Sequence, residues 1–247
     1  MAAKKRLDME LVERGLVESR ERAQALILAG EVFVDHQKAR KAGQPIGSGA
    51  HLEVRQPLRY VSRGGLKLEI ALEEFQVSPE GKVCLDIGTS TGGFTDCVLQ
   101  RGAIRVHCVD TGAGQIDWKL RNDSRVILHE RMNARYLTFD QIGEPVDLIA
   151  CDVSFISVTL LIPALAPLLK LDGDWIVLVK PQFEVGREGV GKGGIVRDPG
   201  LHEFACQRVE SALRGQAFKT SRIDSPILGM EGNREFLVHA WREPASK

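Results

Sequence analysis

No apolar run in this chain approaches the roughly 18 residues that a membrane-spanning helix needs. The start, Met1-Ala-Ala-Lys-Lys-Arg, leads straight into an amphipathic pattern rather than an apolar leader. Neither a membrane span nor an export signal is therefore expected. No two cysteines have CxxC spacing; Cys84, Cys97, Cys108, Cys151 and Cys206 stand alone, mostly in apolar runs. That is the pattern of reduced core thiols in a cytoplasmic protein, not of a disulfide framework or a metal centre, and no metal is expected. Tandem repeats and low-complexity tracts are absent as well. Net charge is also missing, with 33 Lys and Arg against 33 Asp and Glu. Bulk charge therefore argues neither for nor against a nucleic-acid partner.

What is present is a chain of 247 residues, 43% apolar and 27% charged, enough for one medium domain and a small one. The charge is unevenly spread. Residues 1–60 carry 11 Lys and Arg against 8 Asp and Glu, so this stretch is positive and the remainder negative.

In the N-terminal stretch, Leu7, Leu11 and Val12 fall at helical spacing, with Gly15 as a stop. Ser19 is a good N-cap for a helix from Arg20 to Ala29, closed by Gly30. Glu31 to Asp35 alternates as a strand does, and His51 to Val54 reads as a second. The charges Arg6, Arg20, Arg22, Lys38, Arg40 and Lys41 could form a basic face or merely solvate a small domain.

From Val83 onward apolar runs alternate with helical stretches. Strands are predicted at Val83–Ile87, Arg105–Val109, Val126–His129, Val146–Cys151, Trp175–Val179, Thr220–Ile223 and Glu235–Trp241. Helices are predicted at Gly93–Arg101, Leu160–Leu169 and Leu201–Leu213. This order gives a parallel sheet covered on both faces, with the last two strands as an antiparallel hairpin at one edge. Ser62 is expected to cap a further helix carrying Leu68, Leu72 and Phe75 on one stripe. Lys67 in its first turn faces the positive end of the helix dipole, and such a lysine is ordinarily solvated.

Ligands of open parallel sheets sit beyond the carboxyl ends of the strands. Those ends here are Asp86, Asp110, Asp152 and Lys180, with the polar turn Glu130 to Ala134 after the third strand. The glycine-rich turn Gly88-Thr-Ser-Thr-Gly92-Gly93 follows Asp86 and admits several readings. A dinucleotide fingerprint wants glycine where Ser90 stands. Gly88-x-Ser90-x-Gly92 fits a nucleophile elbow, but such an elbow normally has strands ahead of it. Gly186 to Lys192 imitates a phosphate-binding loop, but Gly193 replaces the metal-binding hydroxyl and the loop is detached from its strand. Asp-x-Gly with the glycine turn, and an acid ending the second strand, instead resembles an S-adenosylmethionine site. In that reading Asp86, Gly88, Ser90, Gly92, Gly93, Phe94, Asp110, Asn133 and Asp152 are the cofactor-facing set.

Two resemblances sharpen the picture. Arg6-Leu7-Asp8, Ser19-Arg20-Glu21-Arg22-Ala23, Ala29-Gly30-Glu31-Val32-Phe33-Val34-Asp35 and Lys41-Ala42-Gly43 together resemble the S4 RNA-binding module, which implies binding to structured RNA. Val61-Ser62-Arg63-Gly64-Gly65-x-Lys67, Asp152-Val153-Ser154-Phe155-Ile156-Ser157, Lys180-Pro181-Gln182-Phe183-Glu184 and Gly232-Asn233-Arg234-Glu235-Phe236 resemble the TlyA family. Its members are S4-bearing relatives of the FtsJ-type RNA ribose methyltransferases. The resemblance implies an α/β, Rossmann-like class I methyltransferase sheet behind a small α+β S4-like domain. The expected boundaries are 1–58 for the S4-like domain, 59–65 for a connector and 66–247 for the methyltransferase domain. It further implies a catalytic tetrad of Lys67, Asp152, Lys180 and Glu235, S-adenosyl-L-methionine as methyl donor, and ribosomal RNA or ribosomal subunits as partner. Arg63 and Lys192 join the six charges of the N-terminal module as the implied RNA contacts. A non-catalytic RNA-binding or ribosome-assembly protein is the main alternative, and a secreted haemolysin a weaker one.

Overall fold

A computed structural model of the chain describes residues 5–54, 59–229 and 232–243. The chain divides into two compact units, Met1–Leu58 and Arg59–Lys247. The first and last four positions of the expected S4-like domain lie outside the described residues.

In the smaller unit, β1 (Lys5–Arg6) leads into α1 (Leu7–Glu13), followed by α2 (Arg20–Ala29). Ser19 caps α2 by accepting a hydrogen bond from Arg22 N, and Gly30 closes it with φ +78°, as the sequence predicts. Strands β2 (Val32–Val34), β3 (Gln37–Lys38) and β5 (Leu52–Val54) form one antiparallel sheet in the order β3-β2-β5, while β4 (Pro45–Ile46) pairs with β1. Leu7, Leu11, Ala23, Leu26, Ile27, Val32 and Ile46 close a single small core.

The larger unit is built on a sheet of seven strands in the order β11-β12-β10-β9-β6-β7-β8. Its strands are β6 (Val83–Ile87), β7 (Arg105–Asp110), β8 (Val126–Glu130), β9 (Val146–Cys151), β10 (Leu169–Val179), β11 (Lys219–Asp224) and β12 (Phe236–Trp241). Alternate residues of the central strands enter opposite apolar layers, as the strand period requires. Leu85, Ile87, Ile149, Cys151 and Val177 face one core, with α6 (Phe139–Ile142), α7 (Ile162–Leu165) and α9 (Pro199–Arg214). Cys84, Leu148, Ala150, Ile176 and Leu178 face the other, with α3 (Gly64–Glu74), α4 (Gly93–Gln100) and α5 (Trp118–Arg121). Only β12 runs against its neighbours, pairing antiparallel with β10 and β11.

Several predicted elements differ in detail. The helix predicted over 160–169 is split into short turns around Pro163 and Pro167, because each proline removes an amide and blocks the preceding turn. Strand β10 starts at Leu169, six residues before the predicted Trp175, and its register with β9 shifts between Leu169 and Asp174. That irregularity, with Leu171 80% exposed, hides the strand from an alternation test. Ser62 does not cap α3; Arg63 occupies the cap position without a side-chain bond. The Ser62 hydroxyl instead lies against Gly93, where a Cβ would come within 2.1 Å of it. Residues 59–65 pack within the larger unit. Tyr60 is buried, and Val61 N donates to Asp96 Oδ2 at 2.9 Å.

Candidate active site

Strand order reverses between β6 and β9, the two central neighbours, and a crevice opens there at their carboxyl ends. The chains leaving these strands touch. Asp152 N donates to Ile87 O at 2.9 Å, and a Cβ on Gly88 would stand 2.3 Å from the Asp152 carbonyl oxygen. With φ +82° as well, only glycine fits at position 88. Ser90 has φ +49°, so it takes the left-handed conformation that a glycine would take in a dinucleotide turn. Its N–H donates to Asp110 Oδ2 at 2.9 Å, and Gly112 N donates to Asp110 Oδ1 at 2.7 Å. The carboxylate that ends β7 is thereby fixed at the rim with acceptor capacity left on both oxygens.

Two cavities share this rim. One, of about 580 Å³, is lined among others by Gly88, Ser90, Asp110, Met132, Asn133 and Asp152. The other, of about 330 Å³, is lined among others by Arg63, Lys67, Gly93, Asp152, Lys180 and Glu235. Asp152 and Ser154 belong to both. Next to them is an apolar recess of about 250 Å³ that includes Phe155, Phe183 and Val190. Phe155 is 89% exposed, has φ +67°, and its ring centroid lies 5.4 Å from that of Phe183. A bulky residue held in the left-handed region is strained, and such strain gathers at functional sites.

The four polar residues from distant parts of the chain meet as two ion pairs. Lys180 Nζ is 2.6 Å from Asp152 Oδ1 in a contact that is ionic rather than a directed hydrogen bond, and it donates to Ser154 Oγ at 2.9 Å. Lys67 donates to Glu235, with both side chains buried. Lys67 was expected to be solvated on dipole grounds alone; burial against a carboxylate offsets the unfavourable dipole. Glu235 falls just before β12 rather than in it.

Asp86 is buried under the glycine turn. Thr95 N and Thr95 Oγ1 donate to its Oδ2 at 3.0 and 2.6 Å, while Oδ1 has no partner. Loss of solvent pushes its carboxyl up to about 7, aided by the nearby carboxylates of Asp152 and Asp110 and opposed by the Thr95 bonds. Glu184 in α8 (Pro181–Glu184) is likewise buried and raised by desolvation. It accepts from Ser157 Oγ at 2.6 Å and from Val158 N at 2.8 Å, which ties the chain after Asp152 to the chain after Lys180.

Of the cofactor-facing set, Gly88, Ser90, Asp110, Asn133 and Asp152 line the larger cavity. Gly93 and Phe94 line the neighbouring one instead. Gly92 faces Leu120 and Ile116, where a Cβ would collide at 2.4 Å. Among the expected RNA contacts, Arg63 lines the smaller cavity and Lys192 is exposed outside it. Arg22, Lys38, Arg40 and Lys41 are exposed on the smaller unit, and Arg6 and Arg20 converge on Asp8 there. Ser154, Phe155, Phe183 and Glu184 were not singled out from sequence as site residues. Their only sequence signal is adjacency to Asp152 and Lys180. Among the described residues, no helix is long and apolar enough to cross a membrane, and no cluster of three His, Cys, Asp or Glu residues could hold a metal.

Comparison with known proteins accords with this geometry. Residues 5–52 match the S4 domain, and residues 60–242 match the FtsJ-like methyltransferase family. YqxC of Bacillus subtilis is 51% identical over 241 residues, covering 96% of this chain and 85% of that protein. The 16S/23S rRNA (cytidine-2′-O)-methyltransferase TlyA of Mycobacterium tuberculosis is 44% identical, covering 96% of this chain and 90% of that protein. A solved structure from Streptococcus thermophilus, described as a hemolysin, superposes with a TM-score of 0.74 at 43% identity, over 98% of this chain and 90% of that one. The chain therefore belongs to the FtsJ-like methyltransferases, with an S4 domain ahead of the methyltransferase fold.

Proposed function

We propose that the chain is a cytoplasmic S-adenosylmethionine-dependent methyltransferase acting on a ribose 2′-hydroxyl of structured ribosomal RNA. The observation that carries this reading is the placement of Lys180. Its ammonium is held by Asp152 and Ser154 on the wall shared by two adjoining cavities. The larger cavity lies within the usual size of ligand sites, about 300–1,000 Å³.

The larger cavity suits the methyl donor. Its side-chain-free wall at Gly88 admits close approach, and the fixed Asp110 carboxylate suits the ribose hydroxyls of an adenosine group. Asn133 stands by the turn suited to the base, and the unpartnered Oδ1 of Asp86 is an acceptor reserve beneath. When bound, S-adenosylmethionine supplies a methyl group activated by its positive sulfur.

The chain's own residues do the rest. Lys180 donates to the acceptor oxygen and orients it, while Asp152 and Ser154 hold the lysine in place. Lys67 and Glu235 wall the acceptor side. Most of the rate gain then comes from holding the reacting atoms in line rather than from a strong base. The domain relatives named for rRNA cytidine-2′-O methylation support ribosomal RNA as substrate.

The test is to incubate the protein with radiolabelled cofactor and unmodified ribosomal subunits or rRNA, then map the labelled nucleotide. Label on a ribose 2′-oxygen, lost in Lys180→Ala, is the expected result. No transfer by the wild type to either subunit or to free rRNA would leave a non-catalytic RNA-binding protein as the better reading. A Lys180→Ala variant working at the wild-type rate would remove that residue from the mechanism.

A further inference from the structure

Asp8 is the most completely enclosed acid of the smaller unit, with no exposed surface. Its carboxylate receives five hydrogen bonds. Oδ1 accepts from Arg6 Nε at 3.0 Å and Met9 N at 3.1 Å. Oδ2 accepts from Arg6 Nη2 at 2.9 Å, Arg20 Nε at 3.0 Å and Gln24 Nε2 at 3.0 Å. These bonds, Arg6 foremost, hold the carboxyl well below the usual carboxylate range.

The two guanidiniums that share Oδ2 are only half withdrawn from water, with side chains 47% and 51% exposed. Like charges so close repel, and the carboxylate between them is what permits the arrangement. The donor count then matters. A guanidinium has five N–H groups in a planar fork. Arg6 uses the edge carrying Nε and Nη2, which leaves Nη1 and the second Nη2 hydrogen. Arg20 uses Nε alone, which leaves both terminal nitrogens. An ordinary surface arginine can turn freely; these two have lost that freedom at the inner edge while keeping their outer donors. The turn before β4 fits the same arrangement, because a Cβ on Gly43 would sit 3.1 Å from Arg6 Nη1.

We propose that Asp8 is a positioning residue that yokes Arg6 and Arg20 into one fork for a single phosphodiester group of RNA. The ligand class follows from the donors. Planar forks with paired outer N–H groups match the two anionic oxygens of a phosphodiester, and the preset geometry lowers the entropy lost on contact. The inference rests on the RNA reading above and adds a buried acid as part of the RNA grip.

The test measures retention of a labelled, in vitro-transcribed 23S RNA by the full chain across a potassium chloride series. Wild-type binding comes first; if it is absent, the RNA reading falls and this inference with it. Asp8→Asn makes the unit more positive by one charge, so charge counting alone expects tighter binding and a steeper salt dependence. The yoke expects the opposite, an affinity about tenfold lower and a salt slope smaller by about one phosphate contact. Binding at or above the wild-type level overturns the proposal. If Asp8→Asn loses its fold by circular dichroism, Arg20→Lys decides, because it keeps the charge and leaves Arg6 on Asp8. A loss of about fivefold or more supports the fork, and unchanged affinity overturns it.

Discussion

Lys67 and Glu235 stand 168 positions apart in sequence and form an ion pair buried at both ends. Lys67 comes from the first turn of α3 and Glu235 from the approach to β12. A buried pair contributes little net stability, but removing one member leaves the other charged and unpartnered. That loss typically costs about 3–5 kcal/mol. Glu235→Ala should therefore lower the stability of the larger unit by about that much. Lys67→Met combined with Glu235→Leu should recover most of it while methyl transfer stays about a hundredfold or more below wild type. All three tryptophans, Trp118, Trp175 and Trp241, lie in the larger unit, so urea unfolding followed by tryptophan fluorescence reads that unit alone. A double variant as unstable as the single would show that the pair is not the source of the loss.

Asp86 predicts a pH dependence. Its carboxyl is raised to about 7 in the fold, against about 3.9 in an unfolded chain. Between those values the folded protein retains a proton that the unfolded chain has released. Stability contributed at this site is thus greatest below about pH 4, falls as pH rises to about 7, and is level beyond. A shift of this size corresponds to a few kcal/mol, of order 4 at most. Asp86→Asn should remove that slope. Relative to wild type, the variant should gain stability between pH 5 and pH 8 in paired urea titrations. Parallel curves for the two proteins would show that Asp86 is not proton-linked.

Two glycines with positive φ make a paired test. Gly88→Ala places a Cβ 2.3 Å from the Asp152 carbonyl oxygen, on top of a φ of +82°. Gly114→Ala has a similar φ, +71°, but meets nothing within 4 Å. Gly114→Ala should cost about 1 kcal/mol from the backbone alone. Gly88→Ala should cost about 2–4 kcal/mol and impair cofactor binding, because backbone must move on both sides of the crevice. Calorimetric titration with S-adenosylhomocysteine provides the second readout. Equal losses for the two would mean that the crevice is softer than its contacts indicate.

Glu184 predicts a local effect. In Glu184→Ala the N–H of Val158 loses its acceptor in a buried place, as does the hydroxyl of Ser157. An unsatisfied buried donor costs about 1–3 kcal/mol. Hydrogen exchange at the Val158 amide should accelerate far more than exchange in the β6 strand, because the loop loosens before the sheet does. Methyl transfer should fall with it, since the same loop carries Ser154. Unchanged exchange at Val158 would remove Glu184 as the tether.

Parts of this fold were legible because local chemistry agrees with the final structure. Ser19 and Gly30 mark both ends of α2, and the wholly apolar β6 announces a buried strand. The four polar strand ends marked the crevice without any structure. Other features depend on contacts that sequence does not display. Lys67 looks like a solvated lysine until its partner arrives from the far end of the chain. Asp8 looks like one half of a surface charge pair until Arg20 and Gln24 close over it. The residues 158–168 carry helical spacing, yet Pro163 and Pro167 divide them, and periodicity alone gives the prolines too little weight.

Strand β12 occupies an inner place in the sheet, between β10 and β11, yet it is the final strand among the described residues. During synthesis the chain emerges from its amino end, so β11 leaves the ribosome before its only neighbour exists. The smaller unit draws on nothing beyond residue 58 for its own core. A nascent chain can thus acquire its grip on RNA long before Glu235 reaches Lys67. Assembly of the cleft in this order makes chemistry the last property gained, available only to chains translated through the end of β12.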